Sequence, residues 1–125
     1  MLERLVYESR ATGDFGTLHL FHLLTHSQGR NERLQITGHL LYLNGRFTQC
    51  IEGPGDRVET LWQALQRDPR HDQIELLMRR PVTERVFSEW SMAFSTHASY
   101  YVHGMRGFFP LDDEERSPLI ALCSA

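Results

Sequence analysis

The spacing of apolar residues along the chain changes from the period of a strand to that of a helix. Residues 2–9 alternate between apolar and polar side chains, which predicts a first strand with Tyr7 on its inward face. Apolar residues at helical spacing follow and predict a first helix from about Gly16 to Gln28, which Gly29 terminates. The chain therefore begins with a β-α unit.

An Asn44-Gly45 pair separates the next two apolar runs and is the strongest short-range signal for a two-residue hairpin. Antiparallel pairing across this turn places Leu40 opposite Gln49, and strand alternation puts Phe47 on the same face as Gln49. That face is apolar apart from the glutamine. An unpartnered buried amide costs on the order of 1–3 kcal/mol, so both ends of Gln49 need hydrogen-bond partners from the chain or from a ligand.

The second half of the chain predicts one more helix and two more strands. The break at residues 53–55 leads into a second helix, for which Asp56 is the predicted cap and Pro69 the end. Its apolar stripe, at positions i, i+3, i+4 and i+7, consists of Val58, Leu61, Trp62 and Leu65. Strand four is predicted over Ile74–Met78, and a short strand five over Ser91–Phe94.

The order β-α-β-β-α-β-β predicts an α+β fold, a ferredoxin-like sheet with both helices on one face. Tyr7 and Gln49 then face the space between the two helices. From about His97 onward the chain contains an aromatic-rich stretch and then an acidic run. We predict a domain over residues 1–95 and a short C-terminal extension over residues 96–125, which packs on the free face of the sheet or on a partner subunit.

Composition narrows the class of protein. A chain of 125 residues with 41% hydrophobic residues can bury one core without disulfides or a structural metal. The net charge of −3 argues against non-specific nucleic-acid binding. Cys50 and Cys123 form no spaced set, which favours a reducing compartment, and Glu3 and Arg4 interrupt any signal-like start. Because the apolar runs are also too short to span a membrane, we expect a cytoplasmic protein that contacts neither nucleic acid nor membrane.

Five stretches of sequence, taken together and in this order, resemble a known family. They are residues 4–11 (RLVYESRA), 31–38 (NERLQITG), 45–54 (GRFTQCIEGP), 67–71 (RDPRH) and 87–94 (FSEWSMAF). The chain is similar over about residues 2–95 to the BLUF domain, a blue-light-sensing, flavin-binding module. The resemblance implies a non-covalently bound FAD, with its isoalloxazine ring between the two helices and its adenine end directed outward.

Position by position, the resemblance implies a photochemical pair and a set of cofactor-binding residues in a sensor that has no catalytic turnover. Tyr7 matches the electron and proton donor, and Gln49 matches the amide that bridges this phenol to flavin N5 and O4. Asn31 matches the side chain that hydrogen-bonds the pyrimidine edge of the ring. Near the phosphates of FAD, the resemblance implies Asp68, Arg70 and His71.

The resemblance also implies a relay from the amide to the last strand. Trp90 and Met92 match the pair whose arrangement reports the state of Gln49, and Ser27 matches a hydroxyl that can contact this tryptophan. Rotation or tautomerisation of the amide would then signal through a homo-oligomer or to a separate downstream effector protein. The chain departs from the family at Arg30, where many members carry Asn or His, and in an extension shorter than the two-helix extension of many stand-alone members.

Two other classes of function remain open at this point. One is a flavin-free, ferredoxin-like interaction module, in which Tyr7 and Gln49 only hydrogen-bond each other and the aromatic tail mediates assembly. The other is an enzyme or metal protein on the same fold. His22 and His26 are spaced i, i+4, with His19 three residues earlier, as a shared zinc would require. A structural zinc site takes four ligands, and no Cys or acid joins these histidines, so we expect a solvated helix face and no metal.

Overall fold

The computed structural model describes residues 1–13, 17–88 and 91–96 of the chain. Trp90, Cys123 and almost all of the predicted C-terminal extension lie outside the described residues. The predictions that concern them, including the extension's packing on the sheet or on a partner subunit, therefore stay predictions.

The described chain forms a five-stranded sheet and two helices. Its elements are β1 (Leu2–Ala11), α1 (Thr17–Leu34), β2 (Thr37–Leu43), β3 (Arg46–Pro54), α2 (Gly55–Gln66), β4 (His71–Val82) and β5 (Ala93–Thr96). The strand order is β4-β1-β3-β2-β5, with β5 parallel to β2 and the other neighbours antiparallel. This confirms the predicted α+β, ferredoxin-like fold, to which β5 adds an outer strand.

One face of the sheet packs against both helices. Alternation along β1 and β3 directs every second side chain to this face, as predicted. The buried core there consists of Leu5, Tyr7, Leu24, Ile36, Leu40, Tyr42, Phe47, Ile51, Val58, Leu61, Trp62, Leu65, Met92 and Phe94. Full burial of a large apolar side chain contributes roughly 1.5–3 kcal/mol, so this cluster is the main source of stability. A smaller cluster of Val6, Leu41 and Cys50 lies on the opposite face.

The predicted hairpin between β2 and β3 is confirmed. Asn44 and Gly45 have φ angles of 54° and 74°, the left-handed pair that a type I′ turn requires. Leu40 pairs with Gln49 across the two strands, and their Cα register continues to the turn. The turn therefore fixes which side chains of β3 face the helices.

The predicted end of α1 is wrong, because the helix continues through Gly29 to Leu34. It ends in a Schellman motif, in which the Gln35 N–H donates to the Glu32 carbonyl at 3.2 Å and the Ile36 N–H to the Asn31 carbonyl at 2.8 Å. Gln35 supplies the left-handed residue of this motif, with φ of 58°. Glycine usually holds that position, so the sequence carried no visible stop signal there.

The start of α2 also differs from the prediction. Pro54 precedes the helix, no side chain caps its first turn, and Asp56 lies within that turn. A carboxylate there still interacts favourably with the helix dipole. The predicted apolar stripe is confirmed, since Val58 and the three other residues of the stripe are all buried.

Strands four and five are displaced from their predicted bounds. β4 runs from His71 to Val82 because it pairs along nearly the whole of β1, and a bulge at Gln73, with φ of 50°, accommodates a shift in register. β5 begins two residues later than predicted, at Ala93, because it pairs with β2 from His39 onward. Met92 thus lies immediately before the strand.

Candidate functional site

A narrow cleft opens between α1 and α2 above the centre of the sheet. Its lining consists of Tyr7, Leu23, Ser27, Arg30, Leu40, Phe47, Gln49, Leu65, Asp68, Arg70 and His71. Six of these eleven residues were singled out from the sequence for the photochemical, cofactor-binding or relay roles, and the structure brings them together around one cleft.

A phenol and an amide form the floor of the cleft. Tyr7 and Gln49 are direct partners in the β1–β3 register, and only 2% and 3% of their surfaces are exposed. The Tyr7 hydroxyl donates a hydrogen bond to Gln49 Oε1. Burial raises the pKa of Tyr7, so its phenol is protonated and can donate this bond. The ring of Trp62 packs beside Tyr7, with a centroid distance of 5.5 Å.

The other end of the Gln49 amide has a weak partner. Its Nε2 atom contacts the Met92 sulfur at 3.6 Å, and Met92 is fully buried. A thioether sulfur is a poor hydrogen-bond acceptor. Gln49 therefore presents a donor at the cleft that a carbonyl or ring-nitrogen acceptor on a ligand would satisfy better.

Two amides of α1 hold the residues that precede β5. Asn31 is fully buried in the last turn of α1, and its Nδ2 donates to the Ser91 carbonyl at 2.9 Å. Gln28 Nε2 donates to the Met92 carbonyl at 3.1 Å. Asn31 thus lies behind the lining of the cleft. Ser27, which is 3% exposed, lies on the lining itself, whereas its predicted partner Trp90 is outside the described residues.

A paired charge lies at the rim of the cleft. The guanidinium of Arg70 binds the Asp68 carboxylate through Nε and Nη2, the latter at 2.6 Å, and the Arg70 backbone N–H donates to Asp68 Oδ1 at 2.9 Å. Burial alone would raise the pKa of Asp68, but the hydrogen bonds from Arg70 outweigh it, and the net pKa is lowered. The rim therefore carries an ionised carboxylate against a fixed cation.

His71 forms one wall of the cleft, and the protein uses both of its ring nitrogens. Nε2 lies 2.6 Å from the Leu65 carbonyl, which can only accept, so Nε2 carries a proton. Nδ1 lies 2.7 Å from Ser9 Oγ and accepts its hydroxyl proton in the neutral ring. This pair ties the end of α2 to β1. One indication of the Ser9–His71 bond was visible in the sequence, because Ser9 lies two residues after Tyr7 and so shares the inward face of β1 with it.

The other two predictions about binding concern metal and membrane. His19, His22 and His26 lie on exposed positions of α1. Within residues 1–13, 17–88 and 91–96, no group of three or more His, Cys, Asp or Glu side chains is arranged to hold a metal ion. Neither helix of the described part of the chain is long and apolar enough to cross a membrane.

Fold and site together define a class: a two-helix, ferredoxin-like ligand-binding module with a buried phenol–amide pair on its floor and an ion pair at its rim. The family described as sensors of blue-light using FAD matches residues 2–93. The chain belongs to this family, the BLUF photoreceptors, which are sensory modules that bind flavin.

Known relatives agree with this assignment. The beta subunit of a photoactivated adenylate cyclase from Euglena longa is 38% identical over 96 residues, which cover 76% of this chain and 11% of the relative. The dark-state structure of BlrB, a BLUF protein, superposes with a TM-score of 0.73 at 36% identity, covering 77% of this chain and 73% of BlrB. A bacterial light-regulated adenylyl cyclase gives a TM-score of 0.75 at 35% identity, with 77% of this chain and 28% of the cyclase covered. This chain thus spans a small part of the cyclases it matches.

Proposed function

We propose that the protein senses blue light through an FAD bound non-covalently in the cleft between α1 and α2. The observation that carries the proposal is the buried pair at the cleft floor, in which Tyr7 donates to Gln49 and the other end of the amide contacts only a thioether among the contacts described. A satisfied structural glutamine would direct its N–H groups at stronger acceptors. The family of the chain, sensors of blue light using FAD, supports the same function.

The residues around the cleft fit a flavin. Apolar side chains from both helices and the sheet, including Leu23 and Phe47, suit the faces of an isoalloxazine ring. Gln49 Nε2 can donate to the acceptor edge of such a ring. Asn31 lies behind the lining and donates to Ser91, so its assignment to the pyrimidine edge is supported by the resemblance to the family alone. At the rim, Arg70 offers a cation to the phosphates.

We assign Asp68 and His71 an indirect role in binding FAD. Asp68 orients the Arg70 guanidinium through its paired oxygens. His71 shapes the wall, because both of its ring nitrogens are bonded to protein atoms. Each therefore supports the binding of the phosphates by fixing its neighbours.

The chemistry divides between the ligand and the chain. A flavin bound here would supply the absorption of blue light and a strong excited-state oxidant. Tyr7 can release an electron and a proton, since its phenol is protonated and already hydrogen-bonded to Gln49 Oε1. Gln49 accepts at one end and donates at the other, so it can move a proton and settle rotated or tautomerised. Either rearrangement changes its contact with Met92, next to β5.

We propose that the output leaves through β5 and the C-terminal extension over residues 96–125. β5 pairs only with β2 among the described strands, so it is an edge of the sheet. The chain itself would catalyse no reaction and would signal through a homo-oligomer or to a separate effector in the cytoplasm, with Trp90, Met92 and Ser27 as the relay. Photoactivated adenylate cyclases match it over a small share of their length, which supports a sensor coupled to an effector.

A light-dependent spectrum tests the proposal. Purified protein should be yellow, and its flavin absorption should move to the red under blue light and return in darkness. Gln49→Leu should keep the flavin and lose the shift, because leucine can neither donate nor accept. Gln63→Leu, an exposed amide on α2, is the matched control and should behave as the parent does. A normal red shift in Gln49→Leu would overturn the assignment of the switch, and protein that takes up no added FAD would favour the flavin-free module.

A further inference from the structure

Arg30 is the cation of the cleft that has no carboxylate partner among the described residues. It lies on the same face of α1 as Leu23 and Ser27 and lines the cleft with them. Its closest described bond is long, from Nε to Asn31 Oδ1 at 3.3 Å. Within the part of the chain that the structure describes, the ion pairs that form include none to Arg30. Arg70, by contrast, is held by Asp68.

A half-buried guanidinium of this kind calls for negative charge on a ligand. Burial lowers the pKa of Arg30, yet an arginine remains protonated in proteins, so the cleft carries a standing positive charge. That charge acts on the floor of the cleft: Arg30 has the largest effect of any charged group on the Tyr7 pKa, which it lowers against the stronger effect of burial. The positive charge of Arg30 therefore acts on the phenol–amide pair at the floor of the cleft.

We propose that Arg30 sets the reduction potential of the bound flavin by stabilising its reduced, anionic form. The inference rests on the proposed function. Reduction of flavin by two electrons and one proton near neutral pH leaves a negative charge on the pyrimidine ring, whereas oxidised flavin is neutral. A fixed cation beside the ring stabilises the reduced, anionic flavin relative to the oxidised, neutral one, because the positive charge is already in place and partly shielded from water.

The rival role for an unpaired arginine is to bind a phosphate of FAD. The Asp68–Arg70 pair, whose charges also act on Arg30, already marks a charged rim. The described hydrogen bond of Arg30, however, goes to the buried Asn31, and Arg30 also adjoins the buried Ser27. The structure therefore favours an action on the ring. Riboflavin, which has no phosphate, separates the two roles.

The test is a reductive titration of the purified protein loaded with FAD and, separately, with riboflavin, together with the dissociation constant of each oxidised flavin. Arg30→Gln should weaken the preference for the reduced flavin about tenfold, which lowers the two-electron midpoint by about 30 mV with either ligand. Arg30→Lys keeps the charge and should retain most of the parent's potential. Arg33→Gln, an exposed arginine on the same helix, is the matched control and should leave the potential unchanged.

Two outcomes would overturn the inference. Weaker binding of FAD but not of riboflavin, at an unchanged potential, would assign Arg30 to a phosphate. No change in either quantity would leave Arg30 without a role toward the ligand. The titration needs only a bound flavin, so a loaded protein that shows no red shift would refute the proposed light switch and not the role of Arg30. Failure to take up any flavin would refute both.

Discussion

Replacement of Glu52 by glutamine should destabilise the protein severely. Glu52 lies on β3, on the face opposite Gln49, and its side chain is fully buried. Its carboxylate accepts a bond from Arg4 Nε at 2.9 Å and further bonds from the backbone N–H groups of Val86 and Phe87, also at 2.9 Å. Glutamine retains one acceptor oxygen and directs an NH₂ group at the other donors. It also leaves a cation that is only 7% exposed without its partner.

The magnitude follows from which groups lose their partners. Breaking a buried ion pair from one side costs roughly 3–5 kcal/mol, which is the loss in unfolding free energy expected for Glu52→Gln. Arg4→Met should cost less, about 1–3 kcal/mol, because the carboxylate keeps its backbone donors. Asp72→Asn is the control, since the Arg10–Asp72 pair joins neighbouring strands of the same sheet but is exposed to solvent, and exposed pairs contribute little to stability.

Urea denaturation at neutral pH, with the slope and the midpoint fitted for each variant, measures these differences. The double variant Arg4→Met/Glu52→Gln should recover part of the loss, because it removes the buried cation that Glu52→Gln alone leaves without its partner, and the glutamine oxygen can still accept from a backbone N–H. If Glu52→Gln lost no more than Asp72→Asn does, the buried carboxylate would not be holding the segment of Val86 and Phe87 against the sheet.

Two further predictions concern β2. A methyl group at Gly38 would lie 2.1 Å from the Cys50 carbonyl oxygen, so Gly38→Ala should lower the free energy of unfolding in urea by about 3 kcal/mol or more. Gly13→Ala should cost little, since among the described residues beyond its chain neighbours no atom lies within 4 Å of the new carbon. Equal stability of the two variants would contradict this. Burial lowers the pKa of His39 from 6.5 to about 4 in the folded protein. Between these two pH values the unfolded chain binds a proton that the folded protein does not. The free energy of unfolding therefore falls as the pH falls, by up to about 3 kcal/mol. His39→Gln should flatten that part of a stability–pH curve, and an unchanged slope would refute the assignment.

Local signals in the sequence accounted for much of the fold. The Asn44-Gly45 turn and the alternation of β1 and β3 were predicted because each depends on a few neighbouring residues. The end of α1 was not, since Gln35 adopts a left-handed conformation that nothing in its residue type announces. β4 and β5 were misplaced for a different reason, because their lengths depend on pairing with β1 and β2, far away in the sequence.

The candidate site was predictable to a similar extent. Tyr7 and Gln49 follow from strand alternation, and their hydrogen bond follows once β1 and β3 pair. The bond between Ser9 and His71 joins residues 62 apart in the sequence and depends on a bulged register that no local pattern encodes. Arg30 was noticed as a departure from the family, but only the tertiary structure shows that it lies on the cleft without a carboxylate partner among the described residues.

The contrast between two buried amides explains why the switch should reside at Gln49. Asn31 and Gln49 have the same functional group and are almost equally buried. Asn31 donates to a backbone carbonyl at 2.9 Å, and withdrawing it would strand a buried polar group at a cost of about 1–3 kcal/mol. Gln49 donates to a sulfur at 3.6 Å, so leaving that contact forfeits little. On the donor side a rearrangement therefore costs less at Gln49 than at Asn31, and the main bond that a rotation of Gln49 must give up is the one from the Tyr7 hydroxyl. Asn31 meanwhile keeps Ser91, two residues before β5, attached to α1.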